Sequence, residues 1–546
     1  MRILAIIPAR GGSKGIPQKN TKLILNKPLI FYAINNAKKS HLIDVVLVTT
    51  EDEEISRIAR LYDVPVINRP NRLSEDSSTL DPVIYHALEK HEELMNQRYD
   101  IVITLQSTSP LLKTKSLDSA IKSLIEGPFD SLISVHNKPH LSWRETANGF
   151  APNYTERLNR QSLPKNYVET GAFVISKRDS ITKTGRLGKN VGVFPLDDRE
   201  ALDIDSYHDW WIAEKELSKK TILIRVEGYR EIGLGHIYRG LTLAKSISNH
   251  NVRFLISNKS DIGIKKLEQF NYDYDVFDKD EEIIELIDYY NANIFVNDIL
   301  DTSARYMKML NTKNVKIVNF EDLGPGSKYA DFVINDLYAK QNDFNNHYWG
   351  SKFYCIRDEF LITPPYKFNP EVKNVLVSFG GTDPSDLTKK VIEVITNKKF
   401  KNVKFTVILG IGYSKKLEIQ EALKQPTNIL VLQDIKFMSE FMNEADLAIT
   451  SQGRTMYEMA AMEVPTILLA QNERELNHEF GYMQNGFINL GLGAKVDHQS
   501  IEQTLFWLIN SPEIRKQMHL QMKKLDLKKG IERVLELIFK GDDSFV

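Results

Sequence analysis

Three times along this chain an aliphatic run breaks off into glycines: ILAIIPARGG from Ile3, TILIRVEG from Thr221 and NVLVSFGG from Asn374. Short β-branched runs alternating with amphipathic helices build a mainly parallel sheet with helices on both faces. Ligands of such sheets bind beyond the carboxyl ends of the strands, where these glycines lie. Three restarts make three α/β lobes, and 546 residues suffice for each to bury a core.

The first series continues through DVVLVTT (44–50), VPVINR (64–69), DIVITLQ (100–106), DSLISV (130–135) and GAFVIS (171–176). It closes with the helical pattern YHDWWIAEKELSKK (207–220), whose basic last turn complements the helix dipole. The second series adds VRFLIS (252–257) and NIFVNDI (293–299), and the proline-rich LITPPYKFNP (361–370) precedes the third. The predicted domains are 1–219, 221–365 and 366–546. A formal charge of -1 sets up no field for nucleic acid, so a bound anion must be gripped locally. One cysteine excludes an intrachain disulfide and fits a reducing cytoplasm. No stretch reaches the roughly 20 apolar residues of a membrane span, and MRILAIIPAR is too short an apolar run for a signal peptide. The sequence thus points to a cytoplasmic protein with no membrane span.

The first glycine stretch, IPARGGSKGIPQKN (7–20), places Gly11, Gly12 and Gly15 directly after the first strand. Backbone amides of such a loop can ring a phosphate, and Arg10, Lys14 and Lys19 supply the charge a triphosphate needs. The Gly-Lys-Ser/Thr ending of a P-loop is absent. This motif resembles the nucleotide-binding motif of the acylneuraminate cytidylyltransferases, the CMP-sialic acid synthetases, and the resemblance spans about residues 1 to 217. It implies a Rossmann-like nucleotidyltransferase domain that activates a nonulosonic (sialic-, legionaminic- or pseudaminic-type) acid with CTP and releases pyrophosphate. By that resemblance Arg10, Gly12, Ser13, Lys19 and Asn20 face the CTP base and phosphates, and Gly11 and Lys14 belong to the same phosphate-binding loop. Arg69 in NRP stands where the family has a nucleotide-contacting arginine, and Gln106 in LQSTSPLL where it meets sugar or nucleotide. Arg160 and Gln161 in NRQSLP stand where the sugar carboxylate binds. Ser107, Leu112 and Thr170 depart from the family's proline, arginine and asparagine. The resemblance also implies a homodimer through this domain.

Asp203 and Asp205 in ALDIDSYHDW lie at i and i+2, which on an extended segment puts both carboxylates on one face. An isolated D-x-D is ordinarily an acidic turn or a cap. The cytidylyltransferase family carries a matching DID motif, which implies that Asp203 and Asp205 bind Mg²⁺ with triphosphate oxygens and water.

The second stretch, EIGLGHIYRG (231–240), is no dinucleotide fingerprint, because His236 follows Gly233-x-Gly235 and a helical pattern begins near Tyr238. A helix N-terminus attracts anions and keeps a nearby imidazole neutral, hence available as a base. SFGGTDPSDLT (378–388) offers another anion-binding helix start, and ADLAITSQGRTMYEMAAMEVPTILL (445–469) a Ser-Gln-Gly-Arg-Thr loop before a helix bearing Glu458. A glutamate there can accept two ribose hydroxyls.

Together these segments resemble the glycosyltransferase-B-like nucleotide-sugar hydrolases of pseudaminic acid biosynthesis, over about residues 221 to 540. The resemblance implies a two-lobed GT-B-like module that removes UDP from a UDP-linked acetamido sugar by C–O cleavage with inversion. It implies His236 as the catalytic histidine, Glu458 at the ribose, Gly453 and Thr455 near the diphosphate and Asn472 as a sugar or catalytic-site contact. Glu227 replaces the family's aspartate, and in place of its tyrosine after the third strand only Asp298 is an evident polar group. The expected protein is an α/β bifunctional enzyme whose two steps are separated by a synthase. A glycosyltransferase or a non-catalytic nucleotide-sugar-binding module at 221–546 are the alternatives.

Overall fold

The computed structural model describes residues 1–12, 15–75, 77–423 and 428–540. The chain divides into two compact units, Met1–Lys219 and Lys220–Val546.

In the first unit Ile3, Ala5 and Ile7 pack into one core while Leu4 and Ile6 pack into another on the opposite face. Burial on both faces is why Ile3–Pro8 reads as an uninterrupted apolar run. Seven strands pair in the order Val191–Leu196, Ser131–Asn137, Tyr167–Lys177, Ile101–Leu105, Ile3–Pro8, Val45–Thr50, Val66–Asn68. All run parallel except Tyr167–Lys177, which is antiparallel to both neighbours and begins before the GAFVIS run that announces it in the sequence. Its register slips between Glu169 and Val174, so the Thr170-Gly171 corner bulges out of the ladder. Bulges re-aim side chains, and this one borders the strand that leads to Gln106.

The second unit contains two wholly parallel sheets. Seven strands are ordered Tyr274–Phe277, Asn251–Ser257, Thr221–Val226, Ile294–Asp298, Lys316–Phe320, Phe332–Asn335, His347–Trp349. Six follow as Ile429–Gln433, Lys404–Leu409, Asn374–Ser378, Leu447–Thr450, Thr466–Ala470, Phe487–Leu492. The last helix, Gly530–Ile538, does not stay with the second sheet that precedes it. Ile531, Val534, Leu535 and Ile538 pack into the core of the first sheet beside Ile222, Ile224 and Phe254. The first lobe therefore takes in the chain's C-terminal helix, while Leu337, Tyr354, Ile356 and Phe360 pack with Leu376 and Ile408 of the second sheet. Among the described residues no helix is long and apolar enough to cross a membrane.

Candidate functional site

The first unit presents its candidate site where Ile3–Pro8 ends. Gly11 N–H donates to Glu51 Oε1 at 2.9 Å. Glu51 Oε2 accepts Arg69 Nε at 2.9 Å, Arg69 Nη2 at 2.7 Å and Ser74 Oγ at 2.8 Å. Arg69 Nη2 also donates to Ala9 O at 3.2 Å, so this buried arginine stands behind the glycine loop and braces it. Burial pushes the Glu51 carboxyl up, but the Gly11 amide, Ser74 and Arg69 together hold it below the ordinary carboxylate range. A Cβ on Gly11 would come within 2.3 Å of Asp52 Oδ2. Asp52 caps the helix Glu53–Leu61 through Ile55 N–H at 2.9 Å, so the close approach demands glycine.

Asn20 closes the loop from the other side. Its Nδ2 donates to Arg10 O at 2.9 Å, and Ser107 Oγ donates to Asn20 Oδ1 at 2.6 Å. The serine in the family's proline position thus adds an anchor for the loop. Leu112 packs in the apolar core, and the Thr170 hydroxyl donates to Ser134 Oγ at 2.8 Å inside the sheet. Ser13 and Lys14 lie outside the described residues. Arg10 is half-buried and Gly12 exposed at the loop. Arg160 and Gln161 stand exposed on the 3-10 turn Arg160–Ser162, outside this bonded cluster.

Lys19 Nζ donates to Ile204 O at 2.6 Å and pairs with Asp205 Oδ1 at 3.3 Å. A Cβ on Gly15 would sit 2.4 Å from Asp205 O, so the loop and the DID segment touch backbone to backbone. Asp203 Oδ1 is buried with no well-aligned hydrogen bond, its neighbour the Thr108 hydroxyl meeting the carboxylate in poor alignment. Asp203 Oδ2 faces Gly171, where a Cβ would lie 3.0 Å from it and 3.3 Å from Gln106 Nε2. Burial, reinforced by the Asp205 charge, pushes the Asp203 carboxyl up. Gln106, Lys19, Asp203 and Asp205 therefore converge at the glycine loop.

In the second unit, Gly233 adopts φ +79° and turns the chain into the helix Gly235–Ser246, whose first turn carries His236. His236 Nδ1 lies 2.5 Å from Asp298 Oδ1, at the end of strand Ile294–Asp298. One turn on, Arg239 donates Nε to Asp298 Oδ2 at 2.7 Å and Nη2 to Asp298 Oδ1. Its Nη1 reaches Glu321 Oε1 at 2.5 Å and Asp336 Oδ1 at 3.2 Å. Arg454 Nη1, from the second lobe, meets the same two carboxylates at 3.4 and 3.2 Å. Asp298 ends its strand and Glu321 and Asp336 directly follow the next two parallel strands of the sheet, so the topology gathers them.

Burial opposes ionisation of Asp298, but Arg239 and His236 outweigh it and hold its carboxyl below the ordinary range. Glu321 is likewise held well below by Arg239, His236 and Arg454 against its burial, whereas burial wins at Asp336 and raises it. An ionised carboxylate only accepts, so the His236–Asp298 contact is made by Nδ1–H, with Arg239 Nη2 3.3 Å from the same nitrogen and Nε2 outside this bonded cluster.

His236 lines a cleft of about 320 Å³ between the two lobes, with Gly453, Thr455, Glu458 and Asn472 across from it. Asp383 accepts Leu387 N–H at 3.0 Å and Thr388 N–H at 2.8 Å, capping the helix Leu387–Ile395. Glu458, on the helix Thr455–Ala461, accepts Arg357 Nε at 2.9 Å through Oε1. Asn472 Oδ1 accepts Glu475 N–H at 3.0 Å and caps the short helix Glu473–Leu476. Glu227 lies outside this cleft, its Oε2 taking Ser257 Oγ at 2.5 Å and Ser260 Oγ at 2.6 Å. Sequence reasoning singles out His236 and Asp298 but misses Arg239, Glu321, Asp336, Arg454 and Glu475. Only Arg239 carries a local signal, the i, i+3 spacing from His236.

Residues 4–220 match the family model described as Cytidylyltransferase, and residues 375–534 the one described as Glycosyltransferase family 28 C-terminal domain. The chain is 30% identical over 272 residues to the uncharacterized protein MJ1062 of Methanocaldococcus jannaschii, covering 46% of this chain and 56% of that one. It therefore spans just over half of that relative. It is 32% identical over 237 residues to the CMP-N,N'-diacetyllegionaminic acid synthase of Campylobacter jejuni, 40% of this chain and 97% of the relative. A Helicobacter pylori protein named pseudaminic acid cytidylyltransferase and UDP-2,4-diacetamido-2,4,6-trideoxy-beta-L-altropyranose hydrolase is 25% identical over 498 residues, 88% of this chain and 90% of its own. With the glycine loop and the Asp203 cluster in one unit and the His236 cleft in the other, the chain belongs to the cytidylyltransferase family through its first unit and is a cytidylyltransferase fused to a glycosyltransferase family 28-like domain.

Proposed function

We propose that the first unit transfers CMP from CTP to the anomeric hydroxyl of a nonulosonic acid, and that the second hydrolyses a UDP-linked acetamido sugar. The observation that supports the pairing is the presence of two separate polar clusters on one chain. One is a braced glycine loop with convergent carboxylates; the other is a His–Asp pair in a cleft lined by Gly453 and Thr455.

In the first reaction the sugar oxygen attacks the α-phosphorus, the bond to the β-phosphate breaks, and pyrophosphate leaves. The loop amides, Arg10 and Lys19 bind the triphosphate and offset its charge as the leaving group forms. Gln106, Arg160 and Gln161 hold the sugar acid. The residues fit Mg²⁺: Asp203 Oδ1 is a buried oxygen lacking a well-aligned partner, and Asp205 lies close enough to raise its neighbour's carboxyl. Two carboxylates, with phosphate oxygens and water, are the donor set Mg²⁺ prefers. When bound there, the ion would neutralise triphosphate charge.

In the second reaction water attacks the anomeric carbon, the carbon–oxygen bond to the diphosphate breaks, and UDP leaves. His236 Nε2 takes the water proton while Asp298 holds the ring and stabilises the imidazolium. Glu458 receives the ribose, and the Gly453–Thr455 turn receives the diphosphate. We place both activities in the cytoplasm. We also propose a homodimer through the first unit, where the hairpin Trp143–Thr146/Gly149–Pro152 leaves Trp143 55% and Phe150 75% exposed. Sedimentation velocity of the isolated chain tests this, a monomer at micromolar concentration contradicting it.

Incubation with a UDP-acetamido sugar in water tests the second reaction. Free sugar plus UDP supports hydrolysis; UDP release only on addition of a sugar acceptor indicates a transferase, and no release from any sugar a binding module.

A further inference from the structure

The helix Glu473–Leu476 brings a carboxyl to the end of the cleft where the loop Ser451–Thr455 stands. A Cβ on Gly453 would lie 2.9 Å from Glu475 Oε1, with Ser451 Oγ the next neighbour at 3.4 Å. Glu475 Oε2 accepts Gln471 N–H at 2.7 Å. Among the described residues its determining neighbours are the Gln471 and Gln452 amides and a second acid, Asp383, with no cation among them. Arg454, the cation of the loop, is turned to Glu321 and Asp336, and Arg474 to Tyr338 and Asp301. His478, one turn on, engages Gln452 O at 2.7 Å through Nδ1. Burial without a cation pushes the Glu475 carboxyl up to about 7.

An ionised carboxylate beside this loop would repel a diphosphate at close range; a neutral acid there is a donor. Resting on the nucleotide-sugar reading of the cleft, we propose that Glu475 binds the diphosphate as a carboxylic acid, donating its O–H to a phosphate oxygen. Above the free carboxyl's pKa, binding then takes up close to one proton from solvent. The binding form is the protonated one, so affinity is full below the free carboxyl's pKa and falls as pH rises through it. From pH 6 to pH 8 the protonated fraction, and with it the affinity, falls about ten-fold.

The test is calorimetric titration of the full chain with UDP-N-acetylglucosamine, whose diphosphate has no group titrating in this range. Titrations run at pH 6 in MES and in cacodylate, and at pH 8 in HEPES and in Tris. The wild type should bind about ten-fold more weakly at pH 8 with uptake of close to one proton, and E475Q should bind almost equally at both. A wild type with no pH dependence and no uptake overturns the proposal while leaving the nucleotide-sugar site standing. A dependence that survives in E475Q but vanishes in H236N assigns the proton to the imidazole and also overturns it. If E475Q fails to melt cooperatively, the wild-type proton uptake decides alone. A wild type that binds the probe at neither pH removes the nucleotide-sugar reading and this proposal with it.

Discussion

Replacing Asp298 by asparagine removes one negative charge from the middle of the His236 cluster at almost constant volume. The carboxylate accepts His236 Nδ1–H and two Arg239 N–H groups, and Arg239 is 1% exposed. Removing one partner of a buried ion pair costs about 3–5 kcal/mol. Glu321 and Asp336 still face Arg239, which puts D298N near the lower end, about 3 kcal/mol. For a unit of this size that lowers the melting temperature by roughly 5–10 °C. The chemical effect is separate. An amide can offer N–H to His236 Nδ1, which moves the ring proton to Nε2 and removes the lone pair that takes the water proton. Loss of a positioned general base costs about 10²–10⁴ in turnover. The assay is UDP release from a UDP-acetamido sugar at pH 7.5, with CTP-dependent pyrophosphate release from the same preparation as internal control. UDP release should fall by about 10²–10⁴, with little change in KM, while pyrophosphate release is unchanged. UDP release at the wild-type rate would refute the tautomer argument.

The same carboxylate sets an acid limb. Because its folded pKa is depressed, its stabilisation is present above the ordinary value of about 3.9 and is lost as pH falls through the folded value. Melting curves of the wild type should therefore drop below about pH 4, with a smaller drop in D298N. Asp203→Asn should abolish Mg²⁺-dependent pyrophosphate release and spare UDP release; a variant retaining wild-type metal dependence contradicts the DID assignment. Gly171→Ala adds a Cβ at φ +77°, 3.0 Å from Asp203 Oδ2, and should lower pyrophosphate release at least about ten-fold at a strain of about 1–2 kcal/mol. A fully active variant would dissociate the bulge from the metal cluster. Ending the chain at Lys529 uncovers the apolar face that Val534, Leu535 and Ile538 fill in the first lobe, each worth about 1.5–3 kcal/mol. UDP release should be lost and pyrophosphate release kept, the reverse being incompatible with the packing described.

What could be read from the chain follows the range over which each signal acts. Ile3–Pro8 and Thr221–Val226 are buried on both faces, so their composition alone marks them as central parallel strands. The Gly11 and Gly233 turns announce themselves because backbone geometry is a local property. The charged clusters do not. Arg239 meets partners 59, 82 and 97 residues away, and a buried arginine or glutamate has the same letters as a solvated one. Arg69 is placed at the nucleotide loop by its motif, but its bonds to Glu51 and Ala9 O are not legible there. The amphipathic helix Gly530–Ile538 is plain in sequence, but which sheet it covers depends on where the chain returns.

The central claim is that two independent reactions reside on one chain. Phosphorus NMR of the full chain with Mg²⁺, CTP, a mixture of sialic, legionaminic and pseudaminic acids, and UDP-linked acetamido sugars reads both at once. Wild type should form a CMP-sugar with pyrophosphate, and also UDP. D203N should form only the UDP, and D298N only the CMP-sugar and pyrophosphate. A single substitution that abolishes both products in a folded protein, or a wild type that releases no pyrophosphate with any of the three acids, would contradict it.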